Sequence, residues 1–250
     1  MYRNINTMTW AEVDALDPAS VICVLPVSSL EQHGRALPLG TDDFILMTSV
    51  SEMQKHLPEL KHNFLQYPAI HYGSSWEHMD FAGSAAIRHT TIVTYLEDLL
   101  RSMLRHGFRR LIIINSHGGN APIFQGCSQE WEQRFGIRVY NINYFGSNFF
   151  EDAQNLIETP VGNDIHGGEI EASYLAYAMP EVFHRDEASP EQDVFVNLTE
   201  YYSGWLSRDL APDNGLIGMA SRATVEKGRK LYDYVWQKLV RYMQTFDNLD

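Results

Sequence analysis

The sequence predicts an α/β protein with a mostly parallel sheet covered by helices on both faces. Two apolar runs without polar alternation, residues 20–27 and 110–115, have the character of strands buried on both sides. Segments of helical periodicity alternate with strand-like segments along the chain, the pattern of a parallel sheet with crossover helices. At 250 residues, 44% hydrophobic and 20% charged, the chain has an ordinary composition for a globular protein with a substantial core. No repeat, low-complexity tract or linker interrupts it, so a single domain over residues 1–250 is the simplest organisation.

In chain order, Thr9-Trp10-Ala11-Glu12 is a capping box that opens a short helix, with Thr9 as N-cap and Glu12 three residues on. Residues 20–27 form the first buried strand. A Ser-, Gly- and Pro-containing loop over 28–41 leads into a helix over 42–56, and residues 64–71 read as another strand. After a polar-aromatic loop, Ile92, Tyr95, Leu96, Leu99, Leu100, Met103 and Leu104 share one stripe of a helix over 90–106, stopped by Gly107. A strand over 110–115, a helix over 121–134 ending at Gly136, a strand over 137–143 and a helix over 147–157 follow. Two more helices are expected over 168–178 and 221–246, the latter amphipathic through Val225, Leu231, Tyr232, Val235, Leu239 and Met243.

Composition narrows the partners. A net charge of −13 argues against nucleic acid, which needs a basic stripe, and against an anionic membrane surface. No apolar run approaches the roughly 20 residues of a membrane span, and Met1-Tyr2-Arg3-Asn4-Ile5-Asn6 has no apolar signal core. Cys23, in a core strand, and Cys127, in a helix, make no disulfide framework and fit a reducing compartment. The expectation is a cytoplasmic protein.

The chemistry gathers where strands end. Glu31-Gln32-His33-Gly34, closing with Thr41-Asp42-Asp43, follows the first buried strand; Asn115-Ser116-His117-Gly118-Gly119-Asn120 follows Leu111-Ile112-Ile113-Ile114. Open α/β sheets place ligands at such carboxyl ends. In extended chain, Glu31 and His33 point to the same side about 6.6–6.8 Å apart, a spacing that offers one ligand to each of two neighbouring metal ions. Asp42, at the start of the next helix, can bridge the two with its two oxygens, and His117 adds a nitrogen from across the site. Mixed imidazole and carboxylate ligands suit zinc or manganese. The competing reading makes Asp42 a helix cap, Glu31 a solvated residue and His117 a satisfied turn histidine. Asp164-Ile165-His166-Gly167-Gly168-Glu169-Ile170-Glu171 is the third motif, in which His166 has the chemistry of a proton shuttle and Glu171 can point back toward the strand ends.

Together these motifs resemble the creatininase (creatinine amidohydrolase) family. The likeness lies in Pro26 to Gly34, Leu37 to Asp42, Asn115 to Asn120 and His166 to Ser173, and continues through Gly215-Leu216-Ile217-Gly218 and Ala223 to Gly228. It implies a three-layer αβα sandwich, a binuclear Zn or Mn site and a compact homo-oligomer, often a hexamer. Residue by residue, it implies that Glu31 and His117 bind one ion, His33 the other and Asp42 both, with His166 moving protons. Creatininases proper carry an acidic residue two positions after the second histidine, where this chain has Gly119; Glu171 is the candidate for the missing ligand. Ala172, and Ala82-Gly83-Ser84, also depart from the commoner family residues.

The loop Tyr72 to Phe81 is expected to overlie the metals, with His78 touching substrate and Tyr72, Trp76 and Tyr144 as stacking walls; Trp76 packing at a subunit interface is the equal alternative. The expected reaction is metal-assisted attack of water on a carbonyl of a small substrate. A C–N bond is the first choice, because amides are the commonest substrates of the family. The runner-up is C–C hydrolysis of a cyclic keto-polyol such as 3-dehydro-scyllo-inosose, and a non-catalytic scaffold is the third possibility.

Overall fold

The computed structural model describes residues 1–145, 148–188 and 205–249. Among them, β1 (Tyr2–Asn4), β2 (Val21–Val27), β3 (Asn63–Gln66), β4 (Arg110–Asn115) and β5 (Arg138–Asn143) form one sheet in the order β1-β3-β2-β4-β5. All four pairings are parallel. The helices are α1 (Trp10–Asp14), α2 (Thr41–His56), α3 (His89–Arg105), α4 (Ala121–Phe135), α5 (Glu169–Ala178), α6 (Ser207–Leu210) and α7 (Val225–Phe246). The expected capping box at Thr9 is present, with Thr9 and Glu12 bonded reciprocally.

Side chains along the central strands alternate between two cores, as a pleated sheet requires. Ile22, Val24, Ile112, Ile114 and Ile142 face α2, α5 and α7, packing with Ile45, Leu46, Leu175, Leu231 and Leu239. Val21, Cys23, Leu25, Leu111 and Ile113 face α3 and α4, packing with Leu96, Leu100, Met103, Phe124 and Trp131. β2 is buried at every position, which is why its sequence shows no polar alternation. The result is the expected three-layer αβα sandwich.

Several details differ from the sequence expectation; α7, for one, begins at Val225 rather than at residue 221, with Thr224 as its N-cap. β3 ends at Gln66 rather than near residue 71, because Pro68 has no N–H to donate; beyond it Tyr67 N bonds Val24 O, and Ile70 makes an isolated parallel bridge with Val27. Asn148–Leu156 forms a 3₁₀ helix rather than an α-helix, and the expected first residue, 147, lies outside the described residues. Asn148, Asp152 and Asn155 carry short polar side chains that compete for backbone groups and weaken regular α geometry there. β1 is an additional strand, three residues long and too short to show a period in the sequence.

A candidate metal centre at the switch point of the sheet

β2 lies between β3 and β4, so the chain leaves β2 toward one side and returns on the other. This is the reversal point where parallel sheets open a crevice beyond their strand ends. Val27 and Asn115, the last residues of β2 and β4, are register partners, so the loops that follow them begin side by side. Glu31 and His33 stand on the first loop and His117 on the second. Asp42 comes from the first turn of α2 and Glu171 from that of α5. The N-cap of α2 is Gly40, and no side chain caps that helix, so Asp42 is free to face the crevice.

Sequence reasoning nominated Glu31, His33, Asp42, His117, Glu171 and His166, and the fold brings all six together, each exposed by 7% or less. Glu31, Asp42 and His117 offer ligand atoms within 4.8 Å of one another. The same holds for His33, Asp42 and Glu171, and for Glu31, His33 and His166. His117 Nδ1 lies 3.1 Å from Glu31 Oε2 and 3.3 Å from Asp42 Oδ2. His33 Nε2 lies 3.5 Å from Asp42 Oδ1 and 3.6 Å from Glu171 Oε1.

The opposite nitrogen of each of these two rings meets a main-chain carbonyl. His117 Nε2 is 2.9 Å from Ser74 O, and His33 Nδ1 is 3.1 Å from Glu31 O. A carbonyl only accepts, so the ring hydrogen belongs there and the bare nitrogen faces the carboxylates. Lone pair thus faces lone pair. Glu31 Oε2, His33 Nε2 and Asp42 Oδ2 are buried with no hydrogen-bond partner among the described residues. Buried polar atoms without partners cost free energy, and buried carboxylates cost more unless a positive charge compensates them. The donor set therefore fits a cation: imidazole nitrogens held from behind by a carbonyl, with carboxylate oxygens converging on them.

Without a cation, protons take its place. Burial resists charging His33, yet Glu171 and Asp42 hold its pKa well above the ordinary range; burial likewise opposes His117, and Glu31 and Asp42 outweigh it. Burial raises Glu31, but His117 and His78 bring it down to about 2. Two further imidazoles behave oppositely. Burial and the charge of His166 push His78 down to about 2, and burial with His33 lowers His166.

A cavity of about 340 Å³ opens on the cluster, lined by His78, His166, Glu77, Phe145, Trp205 and Gly119 in addition to the carboxylates. Of the expected substrate-facing residues, His78 lines it. Tyr72 and Trp76 do not: both are about half exposed, Tyr72 lines a separate apolar groove, and Trp76 donates its Nε1–H to Ile87 O. Tyr144 is buried in the core, its hydroxyl against Ser49. Gly119 has no room for a side chain. A Cβ there would sit 2.4 Å from Ser74 O and 2.5 Å from His117 Nε2.

Sequence reasoning passed over Glu77, Phe145 and Trp205, which only folding brings to the cavity. It also gave no role to Gln32, although Gln32 sits inside a motif already singled out. Asp164 accepts from the amides of Glu169 and Ile170 and so anchors the start of α5, which carries Glu171.

Fold and site define an α/β protein whose clustered imidazoles and carboxylates fit a metal ion beside a cavity of small-molecule size. The family model described as "Creatininase: Creatinine amidohydrolase" matches residues 6–243, and the chain belongs to that family of hydrolases. The mycofactocin precursor peptide peptidase of Mycobacterium ulcerans is 29% identical over 238 residues, covering 91% of this chain and 85% of that protein. The creatinine amidohydrolase of Pseudomonas putida is 26% identical, covering 92% and 91%. The 3-dehydro-scyllo-inosose hydrolase of Thermotoga maritima is 25% identical, covering 94% and 81%. Among solved structures, a creatinine amidohydrolase (creatininase) superposes with a TM-score of 0.79 at 22% identity, covering 99% of this chain and 98% of that one. One titled "Creatininase Mn" gives 0.79 at 21% identity, covering 100% of both chains. These likenesses carry the fold.

Proposed function

We propose that the chain, as one domain, is a binuclear metal hydrolase that adds water across a C–N bond of a small cyclic or amide substrate. The observation that carries this reading is the set of overlapping imidazole–carboxylate groups whose bare lone pairs face one another, with Asp42 common to two of them. Glu31, Asp42 and His117 would hold one ion, and His33, Asp42 and Glu171 the second. A pair of divalent cations, Zn or Mn, supplies the acidity that makes water nucleophilic near neutral pH and the charge that favours an oxyanion.

The protein's own groups do the rest. The carboxylates fix the site, and the walls of the cavity limit the substrate to a small molecule or a chain end. Burial favours the neutral form of His166, so it is able to take a proton from water as the oxygen bonds to the carbonyl carbon. It returns that proton to the leaving nitrogen as the C–N bond breaks. Relatives named as a peptide peptidase and a creatinine amidohydrolase support the choice of bond.

C–C cleavage of a cyclic keto-polyol such as 3-dehydro-scyllo-inosose is the second reading, supported by the Thermotoga maritima relative and by the polar residues around the cavity. The reading also includes a homo-oligomer, six chains by family resemblance, to which the exposed Tyr72 and Tyr95, lining one apolar groove, offer a contact surface. It includes a cytoplasmic location, in keeping with free Cys23 and Cys127; no helix of the described residues is long and apolar enough to cross a membrane.

The test is metal analysis of purified protein together with turnover of creatinine, formamides, short peptides and oxidised inositols. About two ions per chain and cleavage of an amide support the first reading. Cleavage of the inositols alone selects the second, and a well-folded, metal-free, inert protein would be a scaffold.

A further inference from the structure

Gln32 lies between two candidate ligands and has no part in the chemistry above, yet its side chain is almost fully buried and makes several polar contacts. Its amide can be oriented without ambiguity. Oε1 accepts from Gly34 N at 2.9 Å, and Nε2 donates to Gly215 O at 3.0 Å. One hydrogen remains on Nε2, with two imidazole nitrogens in reach: His78 Nδ1 and His166 Nε2, both at 3.0 Å.

The main chain decides between them. His166 Nε2 also lies 2.6 Å from the carbonyl oxygen of Gln32. Two lone pairs do not approach so closely, so that nitrogen bears a hydrogen and donates it to the carbonyl. It has nothing left with which to accept from the amide. The second hydrogen of Gln32 therefore goes to His78 Nδ1, which the Ser207 hydroxyl also meets at 2.6 Å.

Both rings then carry hydrogen on Nε2, but they present opposite poles to the cavity. His166 turns its bare Nδ1 toward Glu31 Oε1, at 3.7 Å. His78 turns its Nε2–H toward the same oxygen, at 3.4 Å. The rings stack at 4.0 Å, and His166 also packs on His33 at 4.3 Å, which leaves little freedom to turn over. Gly215 completes the clamp: its φ is +70°, and a Cβ there would come within 2.6 Å of Gln32 Nε2.

We propose that Gln32 is a positioning residue that sets the tautomers of two histidines lining the cavity, His166 through its main-chain carbonyl and His78 through its side-chain amide. His166 is thereby the proton acceptor of the site, and His78 a hydrogen-bond donor available to a substrate carbonyl oxygen. These catalytic roles rest on the hydrolase reading; the tautomers do not.

Two-bond ¹H–¹⁵N correlation spectra of the full chain labelled with ¹⁵N-histidine test the proposal, read with the protein metal-free and again after loading with zinc. His78→Asn and His166→Asn assign the signals. His78 and His166 are both expected as Nε2–H. Gln32→Glu replaces the donor with an acceptor, so His78 should gain hydrogen on Nδ1 while His166 keeps its pattern. On whichever amide the parent cleaves, kcat should fall about 10²-fold, with KM and zinc content much less affected. Ser207→Ala leaves the amide in place, so His78 should keep Nε2–H, and this variant serves if Gln32→Glu does not fold. An Nδ1–H His78 in the parent, or a His78 unchanged by Gln32→Glu, overturns the proposal. Expected tautomers in a chain that cleaves none of the substrates would sink the hydrolase reading instead.

Discussion

Gly119→Ala adds one carbon to the site and is a stringent test of how tightly it is built. The new Cβ would meet Ser74 O at 2.4 Å and His117 Nε2 at 2.5 Å, with Glu77 Oε1 at 3.0 Å. The first two atoms are the partners in the 2.9 Å bond that fixes the ring of His117. One of them is backbone, so it cannot move aside as the end of a flexible side chain does. Forcing a methyl group into such a space costs about 1–3 kcal/mol. Losing the imidazole–carbonyl bond adds about 1 kcal/mol, for a total of about 2–4 kcal/mol. In urea unfolding this appears as a lowered midpoint with an unchanged slope. Zinc affinity, by titration, should fall about 10–100-fold, as when a metal-binding histidine loses the group behind it. Gly119→Glu should do no better, because the side chain has no way out of the same collision. Stability within about 0.5 kcal/mol of the parent, together with unaltered zinc affinity, would refute the packing argument.

Asp42→Ala should lose both ions by elemental analysis, since two of the groups depend on that carboxylate; full metal content would end the shared-ligand assignment. His166→Ala should keep its metal and lose about 10²–10⁴ in turnover, while undiminished turnover would exclude it as the proton carrier. Asp247, far from the site, accepts from the amides of Lys61 and His62 at 2.8 Å and from the His62 ring at 3.1 Å. Burial raises its pKa, but these donors hold it below the usual carboxylate value. Its stabilising effect is therefore complete above the unfolded-state pKa and is lost as pH falls through the folded one. Asp247→Asn should flatten the acid side of a plot of Tm against pH; acid limbs of equal steepness in parent and variant would contradict this.

Much of the candidate site was legible because metal chemistry restricts the residue types that such a site would use. Glu31, His33 and Asp42, and then His117, follow apolar runs that read as buried strands, and the fold gathers them at adjacent strand ends. Glu171 required more: its proximity to His33 depends on α5 being anchored by Asp164 and packed against α7. Tyr72 and Trp76 show the limit. Belonging to the right loop does not decide which way a side chain points, and both turn away from the cavity while His78 turns in.

The amino-acid pattern by itself determined the layers, the parallel strands and the types of group that meet at their ends, because periodicity and donor chemistry are local properties. Strand order, the distances between motifs more than 100 residues apart, and the proton positions on His78 and His166 were decided only by tertiary structure. Each of these depends on which carbonyl, amide or hydroxyl arrives from a distant part of the chain, as Ser207 and Gly215 do at Gln32 and His78.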